Sequence, residues 1–159
     1  MTQKANPRPE RIMQALALAW AVGIMMIGIL PLSNFVGHAH WEYIKWTPTF
    51  DNLRSRRYLF EMAANTILFI PFGYFVARSI GNPPARGLRI AVGSAALLSS
   101  TIEFYQVYCH NRNPSTLDIA TNILGSLIGA AVVVLINRMR QSPPAERITP
   151  TPPARTLAP

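Results

Sequence analysis

Four long apolar runs, separated by short polar stretches, constrain this chain more than any other feature in it. They cover about 12–32, 62–80, 88–108 and 117–136. A helix needs about 20 apolar residues to cross a bilayer at 1.5 Å rise each. Backbone groups in lipid must be satisfied internally, so runs of this kind become helices. The expected architecture is an all-α polytopic membrane protein, a bundle of four transmembrane helices spanning 12–137. Charged residues make up only 14% of the 159 residues, and the length suits one domain. No internal repeat is visible.

The first run, Ile12–Leu32, holds Gln14 as its only polar side chain. A basic start followed by apolar residues also describes a signal peptide. Signal h-regions, however, are only about 7–15 residues long and end at a small-residue cleavage site. This run is longer, and Gly37-His38-Ala39 is a poor site, so an uncleaved helix is expected. The net charge of +8 raises the possibility of nucleic-acid binding. The arginines form no stripe; they sit between and beyond the apolar runs, as topology determinants do, and no nucleic acid is expected as a partner.

The ends are polar. Residues 1–11, with Lys4, Arg8 and Arg11, read as a disordered tail, and 138–159, rich in proline, as another. The loop 33–61 gathers His38, His40, Trp41, Tyr43 and Trp46 early and Arg54, Arg56 and Arg57 late. Trp and Tyr favour the membrane–water interface, and the arginines suit lipid headgroups. Two histidines at i,i+2 without a cysteine partner are a weak metal signal, so neither a metal nor a cofactor is expected. The lone Cys109 has no partner for a disulfide and reads as passive. In the second run, Pro71 is expected to kink the helix, and Gly73 to let a neighbour approach.

Orientation follows from basic residues. With four spans, Lys4, Arg8, Arg11, Arg78, Arg86, Arg89, Arg138, Arg140, Arg147 and Arg155 fall on one side. Lys45, Arg54, Arg56, Arg57 and Arg112 fall on the other. The positive-inside rule places both termini in the cytoplasm. Asn65, Glu103, Gln106, Asp118 and Asn122 then lie within roughly 8 Å of the outer boundary, with His110 and Arg112 in the loop beside them.

These polar residues carry the candidate chemistry. Glu103 and Gln106 share a helix face at i,i+3. Asp118 and Asn122 share one at i,i+4, which Gly125 and Gly129 continue. Gly125-x-x-x-Gly129 is a helix-packing motif, and its expected partner is the small-residue face of the third helix. An architectural account is available for all of them: Ser115-x-x-Asp118 resembles a capping box, Arg112 would pair with Glu103, and the amides would bond across helices. Against it, a carboxylate within a span is costly and usually functional. The functional account is an outward-facing pocket under the headgroups. Glu103 and Asp118 are the candidate acid and base, and Asn65, Gln106, Arg112 and Asn122 the substrate-binding groups. Arg112, with Arg57, would hold a phosphate or carboxylate. Metal, ammonium or sugar binding by the same acids stays open.

The motifs Asn65-x-x-Leu68-Phe69-Ile70-Pro71-Phe72-Gly73, Glu103-x-x-Gln106, Arg112-x-Pro114 and Asp118-x-x-x-Asn122-x-x-Gly125-x-x-x-Gly129, in this order, resemble the VanZ-like family of small bacterial membrane proteins. The resemblance covers about 63–136. Its founding member is associated with low-level resistance to teicoplanin, and other members with exopolysaccharide and envelope functions. The resemblance implies a bacterial inner membrane and an envelope-related role, and supplies no reaction.

Three functions compete. The leading one is binding or modification of a lipid-linked envelope precursor or glycolipid, with membrane lipids as the surrounding partners. A transporter or flippase of such a lipid would need a polar path into the cytoplasmic half, where little polarity is found. The third is a non-catalytic scaffold subunit.

Overall fold

The computed structural model describes residues 9–47, 54–81 and 83–141. It contains four long helices in up-and-down order: α1 (Pro9–Ile29), α2 (Arg56–Ile80), α3 (Pro84–Gln106) and α4 (Thr116–Gln141). Among the described residues there is no strand; two isolated backbone bridges, Phe35–Cys109 and Lys45–Ser115, are the nearest approach to one. At several ends the helices outrun the apolar runs, whereas α1 and α3 stop short of the expected ends at 32 and 108, at Ile29 and Gln106. Pro9–Arg11, assigned to the tail by sequence, are helical, as are Arg56–Glu61 and Arg138–Gln141. Apolarity marks only what lipid must cover, whereas the hydrogen-bond ladder continues until something stops it. Pro84 stands at the first helical position of α3, where a missing N–H costs nothing. The remaining parts of both tails lie outside the described residues.

The protein is inside-out by the standard of a water-soluble bundle. Large apolar side chains point outward, with Leu18 68% exposed, Phe60 74% and Leu97 72%. Many buried positions are small or polar, such as Ala91, Ala95, Ala130, Ser99 and Ser126, beside a few large ones such as Phe69 and Phe72. Hydrocarbon supplies no hydrophobic drive between helices, so small residues and interhelical hydrogen bonds bring them together. Among the described residues, three helices are long and apolar enough to cross a membrane: Pro9–Ile29, Arg56–Ile80 and Thr116–Arg140, with mean hydropathies of 2.1, 1.5 and 2.3. The fourth, α3, has 23 residues and buries a stripe of Gly87, Ala91, Ala95, Ser99 and Glu103, one residue every turn. Ser99 and Glu103 bring polar groups to this packing face, while Arg86, Arg89, Ser100 and Thr101 are exposed. The chain is an all-helical membrane bundle.

The glycine motif packs elsewhere than its sequence context implies. A Cβ on Gly125 would strike the carbonyl oxygen of Thr66, and one on Gly129 the carbonyl oxygen of Ile70. In return, a Cβ on Gly73 would strike the backbone of Ser126. The partner of Gly125 and Gly129 is therefore α2, not the small-residue face of α3. Both helices advance one turn between these contacts, so the backbones run in register and nearly touch. The helix runs unbroken through Pro71. The α3 face meets α4 by hydrogen bonds instead. The Asn122 amide donates to Ser99 Oγ at 2.8 Å, and Ser126 Oγ donates to the Ala91 carbonyl at 3.0 Å. Both use the freedom that glycine, alanine and serine give to close approach.

The loop after α1 is laced to the α3–α4 connection. Val36 N–H donates to Tyr108 O, His40 N–H to Val107 O and His110 N–H to Asn34 O, at 3.0, 2.9 and 2.8 Å. Further on, Lys45 N–H donates to Pro114 O at 2.8 Å and Thr116 N–H to Lys45 O at 3.2 Å. Trp41, Tyr43 and Trp46 stay exposed on its outer side.

Candidate functional site

The up-and-down order brings the end of α1, the start of α2, the end of α3 and the start of α4 to one end of the bundle. A cleft of about 590 Å³ opens there, within the usual range for small-molecule sites. Asn65, Glu103, Gln106, Arg112, Asp118 and Asn122 all line it. Residues distant in sequence thus meet in one place, drawn from α2, α3, the α3–α4 connection and α4.

Glu103 is 9% exposed. Its Oε2 accepts the backbone N–H of Ser115 at 2.7 Å. That bond changes the capping account. In a capping box, the acid three residues on would reach back to the cap N–H. Here Glu103 reaches across from α3 and takes that N–H, so Asp118 has no such duty. Ser115 still caps in the ordinary sense, since its Oγ accepts the Leu117 N–H at 3.2 Å. Asp118, half-buried, lines the cleft with the Asn65 amide beside it and the charges of Glu61 and Lys45 acting on it.

Arg112 does not pair with Glu103. Its Nη2 donates to the Leu30 carbonyl at 2.7 Å, satisfying an acceptor just past the end of α1. The Gln106 amide does the same two residues earlier, donating to Gly28 O at 3.1 Å. Both therefore tie α1 to the cleft wall, and the remaining guanidinium donors stay available. Asn122 gives its amide N–H to Ser99, which leaves its Oδ1 buried without a partner; the Tyr58 hydroxyl is in the same position. Both residues line the cleft. Buried polar groups are normally satisfied; these two, on residues of the cleft wall, are exceptions among the described residues.

Lys45, Tyr58 and Glu61 complete the wall and were not singled out by sequence. A signal existed: Tyr58, Glu61 and Asn65 share one helix face at i, i+3 and i+7. It was hidden because the apolar run begins at Met62, which left Tyr58 and Glu61 in a loop. Arg57 also lines the cleft, but its Nε is engaged with Glu61 Oε1 at 3.0 Å. Lys45, Arg57 and Arg112 face Glu61, Glu103 and Asp118, so the wall offers both signs of charge. That suits a ligand with an anionic group and hydroxyl or ammonium donors.

Searches of curated proteins and of solved structures matched nothing. A family model described as VanZ/LLP1 matches residues 15–137. The match takes in most of α1 and all of α2 and α3, more than the motifs alone cover. With the match running through the helices that build the cleft, the chain belongs to the VanZ/LLP1 family.

Proposed function

We propose that this VanZ-like membrane protein binds or modifies a lipid-linked cell-envelope component at the cleft. The observation that carries the reading is the convergence of Asn65, Glu103, Gln106, Arg112, Asp118 and Asn122 on one cavity at one end of an apolar bundle. A lipid-linked ligand enters such a cavity with its chain along the exposed apolar faces and its headgroup among the polar side chains. Arg112 and Lys45 receive a phosphate or carboxylate, since charge-assisted bonds to anions are the strong ones. Asn122 Oδ1 and the Tyr58 hydroxyl receive sugar hydroxyls or an ammonium. Asp118 is the base in a reacting site, because it carries no helix-end duty. Glu103 is the candidate acid and holds the wall in place through Ser115.

The cleft faces outward on this reading, with all four helices crossing and both termini in the cytoplasm of a bacterial inner membrane. The basic residues support that orientation, since those beyond the other end of the bundle are more numerous. Envelope maintenance and tolerance of envelope-directed antibiotics are the corresponding cellular roles. The test is complementation of an envelope or antibiotic-tolerance phenotype by Glu103→Gln and Asp118→Asn, each checked for insertion and stability. Loss of the phenotype in a stable, inserted Asp118→Asn protein supports the reading. Full complementation by both variants contradicts it and favours a scaffold.

A further inference from the structure

The fold makes a histidine cluster that the sequence divides. His38 and His40 lie in the loop after α1, and His110 lies in the α3–α4 connection. Their rings meet, with centroids 4.6 Å apart for His38–His40, 5.0 Å for His40–His110 and 5.9 Å for His38–His110. Each ring offers one nitrogen, and these atoms all lie within 4.8 Å of one another. We propose that His38, His40 and His110 form a binding site for a divalent transition metal of the zinc class, with one coordination position left for water or a ligand.

Four observations carry this. First, the ligand set is chemically apt: imidazole nitrogens suit zinc, and three histidines plus an open position form an established coordination type. Second, the scaffold is built. The His40 and His110 N–H groups bond to Val107 O and Asn34 O, and Val36 N–H to Tyr108 O, so the two loops carrying the rings are pinned to each other. Gly37, directly before His38, takes φ +77°, a conformation that glycine adopts without strain. Third, His40 is 9% exposed, and its Nε2 is buried with no hydrogen-bond partner. A buried imidazole nitrogen without a hydrogen-bond partner calls for an explanation, and a bound metal ion would supply one. Fourth, Glu42 Oε1 lies 3.6 Å from His40 Nδ1. A carboxylate on the far nitrogen of a ligating histidine fixes its tautomer and raises its basicity.

The geometry needs little adjustment. Bonds of about 2.0–2.1 Å to a tetrahedral zinc place donor nitrogens about 3.4 Å apart. His38 and His110 are exposed, so rotation about their side-chain bonds closes the gap. The ion would clamp the loop after α1 onto the α3–α4 connection. Asn111 and Arg112, which line the cleft, follow His110 directly. The proposal does not depend on what the cleft binds.

The experiment is a cobalt titration of the full-length chain, purified without a histidine tag, stripped with EDTA and held in detergent. Cobalt(II) in a three-histidine tetrahedral site shows intense visible d–d absorption. The expected result is one cobalt per chain, displaced by zinc. His38→Ala and His110→Ala should each lower affinity at least 100-fold, and Glu42→Gln about 10–100-fold. Both histidine variants alter exposed side chains, and thermal unfolding in EDTA should match the parent. Two results would overturn the proposal: no tetrahedral cobalt spectrum in the parent, or spectra of parental strength in the folded His38→Ala and His110→Ala proteins.

Discussion

The Glu103 carboxylate accepts the Ser115 backbone N–H at 2.7 Å, joining the end of α3 to the start of α4. Removing one partner of such a bond leaves the other buried and unsatisfied, which costs about 1–3 kcal/mol. Glu103→Ala should therefore destabilise the bundle by roughly 2–3 kcal/mol, while Glu103→Gln, which keeps an acceptor oxygen, should lose about half as much. Thermal or denaturant unfolding in a mild detergent measures both. Equal stability of Glu103→Ala and the parent would show that the bond contributes nothing.

The glycines of α4 make opposite predictions from an apparently similar glycine in α3. A methyl group on Gly125 or Gly129 meets a backbone carbonyl of α2, which cannot move aside. Gly125→Ala and Gly129→Ala should each cost about 3 kcal/mol, the upper end of the usual range for overpacking. A Cβ on Gly93 meets nothing. Gly93→Ala should stabilise α3 by about 0.5–1 kcal/mol through helix propensity. Unfolding midpoints of the three variants in parallel test the packing directly, because tolerance at Gly125 and Gly129 like that at Gly93 would contradict the close approach to α2.

Ser99 and Asn122 give a measurable interhelical coupling. Their side-chain bond is 2.8 Å long and buried. Such bonds within membranes average about 0.6 kcal/mol. A double-mutant cycle of Ser99→Ala and Asn122→Ala should return about that value, and additive effects would remove the bond from the account. The functional cost should fall more heavily on Asn122→Ala, which also deletes the unpartnered Oδ1 at the cleft.

Much of this was legible in the sequence, and the reasons are physical. The apolar runs had to be helices because lipid leaves no alternative. The six cleft residues could be placed together because the runs alternate in direction, so positions near the same boundary share a depth. Three things were not legible. Which helix Gly125 and Gly129 touch depends on how the helices are arranged around the bundle, and small residues on both α2 and α3 left the choice open. The reach of Glu103 to Ser115 crosses between elements, where local spacing pointed to Asp118. The approach of His110 to His38 and His40 depends on two loops pairing through their backbones, which carries no side-chain signature.

Orientation is testable by itself. A reporter active only in the periplasm, fused after Arg140, should be silent if both termini are cytoplasmic, whereas one inserted near Asn113 should be active. Activity at Arg140 would turn the cleft toward the cytoplasm and replace an outer-leaflet ligand with an inner-leaflet one.

The central claim is that the cleft holds the headgroup of an envelope lipid. The most direct measurement is native mass spectrometry of the chain released from its own membrane in mild detergent, alongside Asp118→Asn and Asn122→Ala. The account predicts one retained lipid with a phosphate- or sugar-bearing headgroup on the parent, with occupancy falling at least about 10-fold in Asn122→Ala, as losing about 1.4 kcal/mol of binding would require. Bulk phospholipid alone, held equally by the parent and both variants, would contradict it.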